Sequence, residues 1–146
     1  MKSLRILLLA AASSFALTCG AEAAESYAPA PLPLASEPAP RLHVDDPLPE
    51  ALARGLVVIR YRTENLRILP VFGPAALDVT PRVGHLHVTV DDAPWHWADA
   101  SGVPLIIQGL AAGPHTVLVQ LADPTHQIIE SKTVALVIPQ QSAAHH

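Results

Sequence analysis

The chain has 146 residues, nine basic and thirteen acidic, with a formal net charge of −4 and half of its residues hydrophobic. That balance excludes a nucleic-acid binder, which needs a dense basic face, and a protein held to an anionic membrane by charge. The single cysteine, Cys19, excludes a disulfide within the chain.

The first 23 residues read as a secretory signal. Lys2 and Arg5 form a basic n-region, Ile6 to Leu17 is apolar, and Ala21-Glu22-Ala23 puts small residues at −3 and −1, so cleavage is expected after Ala23. The apolar run is shorter than the roughly 20 residues of a spanning helix, so no transmembrane span is expected in the mature chain. The alternative is a lipoprotein attached through Cys19, but Ala16-Leu17-Thr18 before it matches such a signal poorly. Cleavage takes away Lys2, Arg5, Glu22 and the cysteine, leaving seven basic and twelve acidic residues and a net charge of −5. The expected location is the periplasm or the exterior.

Residues 24–50 hold seven of the fifteen prolines and read as an extended, unpaired tether. Pro49 to Arg54 suits a short helical turn. The folded domain is expected over residues 51–139. Leu56 to Arg62 and Leu66 to Phe72 are extended runs. Gly84 to Val90 alternates, with Leu86, Val88 and Val90 on one face and His85, His87 and Thr89 on the other. Pro104 to Gln108 is a short strand, His115 to Leu121 alternates again, and Gln127 to Ile138 is a long last strand after the Asp123-Pro124-Thr125 turn. About seven short strands with turns between them predict an all-β fold, a single antiparallel sandwich of the immunoglobulin-like kind. Residues 140–146 form a polar tail ending in His145 and His146.

Two segments carry a resemblance: Gly84-His85-Leu86-His87-Val88-Thr89-Val90-Asp91 and Gly113 to Asp123, the latter continuing into Pro124-Thr125-His126. The second resembles the penultimate strand of immunoglobulin-like and fibronectin-type bacterial domains. Together they are similar to an uncharacterised family of small exported proteobacterial proteins with a Gly-His-x-His strand. The resemblance covers residues 64–139. It implies an immunoglobulin-like sandwich and no assigned activity, and a fold alone does not supply one.

The histidines carry the functional lead. His85 and His87, two apart on a strand, project from one face about 6–7 Å apart and can reach one transition metal. The plainer reading is two partly exposed histidines bonded to loop backbone. His96 lies between Trp95 and Trp97, the only tryptophans. Alternation puts both rings on one side, either inside as core or outside as a ligand surface, with His96 opposite. His96 joins His85 and His87 if Asp91-Asp92-Ala93-Pro94 turns its strand back as a hairpin. His126 opens the last strand and either caps the turn or faces the same end as His96. His115 shares the parity of Val117 and is expected to bond backbone near a strand end. His43, with Asp45 and Asp46, is a flexible and unspecific metal contact at most.

A copper(II) or zinc site assembled from His85, His87 and one of His96 or His126 is therefore one hypothesis. Met1 and Cys19 leave with the signal, so soft ligands for copper(I) are missing. No nucleophile elbow, catalytic cysteine, phosphate loop or HExxH helix is present, so no catalytic residue and no organic cofactor is expected. The leading expectation is a non-catalytic exported binding or accessory domain whose partner is an envelope protein or small ligand. A periplasmic divalent-metal protein is the alternative.

Overall fold

A β-strand turns successive side chains to opposite faces, and the clearest alternating runs of this chain become its longest strands. The computed structural model describes residues 37–140. The signal with its cleavage point, Cys19, tether residues 24–36, and His145 and His146 lie outside the described residues. In chain order the elements are β1 (Arg41–Val44), a short helix α1 (Pro49–Leu52), β2 (Val57–Ile59), β3 (Tyr61–Glu64), β4 (Arg67–Ile68), a 3-10 helix (Pro74–Asp78), β5 (Val83–Val90), β6 (Trp97–Asp99), β7 (Leu105–Ile107), β8 (Gly113–Ala122) and β9 (Ile128–Ile138). The fold is an all-β sandwich. None of the described helices is long and apolar enough to cross a membrane.

The larger sheet runs β4-β5-β8-β9, with β6 also bonded to β5. β5 is its centre. β4 lies parallel to its first residues, β6 runs antiparallel farther along, and β8 is antiparallel on the other edge. The register sets Leu86, Val88 and Val90 opposite Leu121, Val119 and Val117, and β9 extends the same face with Val134, Leu136 and Ile138. All nine are buried. The facing layer supplies Leu42, Val57, Ile59, Leu105 and Ile107 to the same core. In that layer β2 and β3 are one run broken at Arg60, the first half paired with β7 and the second with β1.

The expected tether ends well before residue 50. Leu42 of β1 is 1% exposed and belongs to the core. Its N–H donates to Glu130 Oε2 at 2.7 Å, which fastens β1 to β9. The prolines permit this because Pro40 and Pro47 flank the strand, and Pro49 opens α1, where its missing N–H costs nothing. The second correction concerns Leu66 to Phe72. Only Arg67 and Ile68 pair, because Pro70 cannot donate to a ladder, and the chain leaves as a loop carrying Val71 and Phe72.

Beyond β5, Asp91 and Asp92 both have positive φ, 51° and 52°. Ala93 N–H donates to Val90 O at 3.0 Å, the pattern of a type I′ turn. Asp91 then clamps the start of β8: its Oδ1 accepts Thr116 N–H at 2.8 Å and its Oδ2 lies 2.6 Å from His115 Nδ1. His115 Nε2 lies 2.9 Å from Ala111 O, a backbone bond of the expected kind. The hydrogen bond between the two side chains raises the His115 pKa and lowers that of Asp91.

Two outcomes follow from this packing. A Cβ on buried Gly84 runs into the carbonyl oxygen of Ala122 and lies 3.1–3.2 Å from the Leu66 methyls. Gly84→Ala should therefore cost about 1–3 kcal/mol of stability, the range for overpacking. A urea midpoint equal to that of the parent would show that the β5–β8 backbone yields freely. The second concerns pH. His115, with its raised pKa, gives stability that is complete below its unfolded pKa of about 6.5 and is lost as pH rises through the folded value. Asp91, with its lowered pKa, gives stability that is lost on acidification. The parent's advantage over Asp91→Asn should be large near pH 5.5 and shrink by pH 9. An advantage that stays constant over that range would mean the pair holds by shape alone.

Candidate metal centre

The position of His85 and His87 follows from β5. With Leu86 and Val88 turned inward, the histidines on either side of Leu86 must occupy the outer face. That face is not open, because His85 is 0% and His87 6% exposed. The expectation of two partly exposed histidines bonded to loop backbone is thus corrected. Three pieces of chain cover them.

The first is the β8–β9 turn. Asp123 Oδ1 accepts hydrogen bonds from Thr125 N–H, Thr125 Oγ1 and Gln127 N–H at 2.7–3.0 Å. His126 N–H donates to Asp123 O at 3.0 Å, and His126 itself takes a left-handed φ of 67°. This aims its ring back across the outer face of β5. The second is the loop after β4. Gly73 N–H donates to Pro124 O at 2.8 Å, docking the loop on the turn. The Phe72 ring then stands edge-on to His85 at 4.9 Å and stacks on His126 at 5.9 Å. The third is β6. Its register, Val88↔Trp97 and His87↔Ala98, is the antiparallel return that brings His96 to this face. The His96 ring lies over His87 with centroids 4.5 Å apart and planes 24° apart.

At the centre three ring nitrogens meet. His85 Nε2 lies 2.9 Å from His87 Nε2 and 2.9 Å from His126 Nδ1, and His87 Nε2 lies 3.0 Å from His126 Nδ1. Three His could hold a metal ion here. Burial pushes the His85 pKa down to about 4, helped by repulsion from His87 and His126 and opposed by Asp123. Burial also lowers the His87 pKa, with His96 and His126 adding to it. At neutral pH both rings are therefore uncharged, the form a metal ligand requires. His85 Nδ1 is buried with no hydrogen-bond partner.

The other sequence candidates lie elsewhere. Trp95 and Trp97 differ in burial: Trp95 is 61% exposed, while Trp97 packs against the core. β6 begins only at Trp97, leaving Trp95 in the preceding loop. Their ring centroids are 6.3 Å apart. His43 sits in β1, with Nε2 2.9 Å from Glu64 Oε1. Asp45 faces Arg60, with the nearest atoms 3.5 Å apart. Neither they nor Asp46 join the cluster. Phe72 and Asp123 were not singled out as site residues. No periodicity marks a loop aromatic, but Asp-Pro-Thr is a recognisable side-chain-capped turn that could have directed attention to the histidine following it.

A model of a family of unknown function matches residues 1–146, beyond the span 64–139 on which the sequence resemblance rests. No curated protein and no solved structure matches the chain.

Proposed function

Since the chain belongs to that family, DUF6130, whose function is unknown, we propose from the site alone that it is a divalent metal-binding protein holding one copper(II) or zinc ion through His85, His87 and His126. The observation that carries this reading is the closed triangle of nitrogens 2.9–3.0 Å apart. Each nitrogen has one in-plane direction, occupied by a lone pair or an N–H. It can serve one neighbour well but not two. One cation on the axis of the triangle can take all three lone pairs. It would also offset the cost of leaving His85 Nδ1 unpaired, about 1–3 kcal/mol for a buried polar group.

The donor set narrows the metal. Imidazoles suit zinc, copper, nickel and iron, and among divalent ions copper(II) binds nitrogen most tightly. Beyond Cys19 the sequence has neither cysteine nor methionine, so a copper(I) site lacks its usual sulfur ligands. At a metal–nitrogen bond of about 2.0–2.1 Å, this triangle subtends about 90°, and a regular tetrahedral site needs nitrogens about 3.3–3.4 Å apart. Zinc would therefore open the triangle by about 0.4 Å, and His126 is the exposed member of the three.

The place of action belongs to the same proposal. The n-region, apolar stretch and Ala21-Glu22-Ala23 site support export and cleavage after Ala23. The metal would then be met in the periplasm or outside the cell.

Calorimetry on the purified chain carrying H145A and H146A, which removes a terminal chelator, tests the site. One ion per chain should bind with micromolar affinity or better. His126→Ala lies on an exposed turn and leaves the core intact. It should weaken binding by more than about 100-fold, since even outer partners of metal ligands are worth 10–100-fold. His43→Ala should change nothing. Affinity unaltered by both His126→Ala and His85→Ala would end this assignment.

A further inference from the structure

Resting on the metal reading above, we infer that the ion held by His85, His87 and His126 keeps a ligand position open to solvent, and that this position takes water or a small anion. Four observations converge. The cluster holds three donors and, among the described residues, no carboxylate or thiolate joins them. Asp123 is near enough for its charge to act on His85, but its Oδ1 is committed to Thr125 and Gln127 and builds the turn. His96 is near, but its ring stacks on His87 with planes 24° apart, and it is not among the residues whose nitrogens meet. Finally, nitrogens at about 90° to one another occupy one side of an ion and leave the opposite side bare.

Charge selects the ligand. Three neutral imidazoles leave a divalent ion with its whole +2 charge. A closed structural site would cancel that charge with thiolates or fill the shell with a fourth protein donor, whereas a three-donor site completes itself with water. The exposed His126 brings the site to the protein surface. Phe72 against His85 and His126, and His96 against His87, already occupy two flanks. What remains suits a ligand of a few atoms. The exchange is a simple substitution: water leaves with its own electron pair, the anion donates one, and the metal keeps its oxidation state.

Azide is the probe. The H145A/H146A chain is loaded with one equivalent of copper(II), freed of excess by ultrafiltration, and titrated with azide while visible absorption and electron paramagnetic resonance are followed. The expected result is a saturable azide-to-copper charge-transfer band fitting one site, with the copper retained on the filter. His96→Ala should show the same band and the same copper stoichiometry. Copper bound one-to-one in a chain blind to azide would overturn the open position and leave the metal assignment standing. A band seen only in His96→Ala would overturn it by showing His96 to be the fourth ligand. A band that appears only as copper passes into the filtrate would overturn it too. Failure to retain one equivalent of copper at all would remove the metal reading, and this inference with it.

Discussion

Everything in this fold turns on β5 being buried on both faces. A strand that alternates aliphatic and imidazole side chains must find cover of two kinds. Leu86, Val88 and Val90 are covered by the facing layer of the sandwich, through Leu42, Val57, Ile59, Leu105 and Ile107. Covering an aliphatic chain is favourable by itself, about 1.5–3 kcal/mol for each. Covering His85 and His87 is not, because an imidazole gives up water when it is enclosed. The chain nevertheless assembles three separate pieces over them: the β8–β9 turn, the Phe72 loop and the end of β6. The proposed ion would offset that cost, which includes a His85 Nδ1 left without a partner.

The turn after β8 shows how local chemistry serves that arrangement. Asp123 gathers three donors onto one oxygen and so fixes the backbone through Gln127. The left-handed His126 reverses the side-chain direction that an extended residue would have had. Gly73 and Pro124 then couple this turn to the loop bearing Phe72. Gly84 completes the arrangement from below, since only a residue without Cβ lets the Ala122 backbone approach the root of His85 so closely.

Sequence periodicity made the two long strands and the outer placement of His85 and His87 legible, because alternation is a local property. It also made the return of β6 legible, since Asp91-Asp92 is good turn chemistry. The convergence of His126 was open from sequence, because one left-handed residue decides it. The role of Phe72 was hidden for a different reason: its loop docks through a backbone bond from Gly73 to Pro124, 51 positions away in the sequence. β1 was concealed by composition. Prolines around Arg41–Val44 suggest an unpaired segment, yet they sit outside the ladder. Trp95 and Trp97 look equivalent in sequence and differ because the strand starts between them.

The three converging nitrogens are far apart along the chain, with His126 lying 41 residues from His85 and 39 from His87. An ion bonded to all three therefore staples a loop that contains β6, β7 and β8. In chain-entropy terms, closing a loop of about 40 residues restricts the denatured ensemble by roughly 4 kcal/mol, as much as a disulfide of the same span. This sequence, with one cysteine, has no other covalent means of forming such a staple. Under the proposed export and metal binding, a coordinated ion would take over the mechanical duty that cystine bridges serve in small secreted domains, and the durability of the fold would follow the supply of metal instead of the redox state of its surroundings.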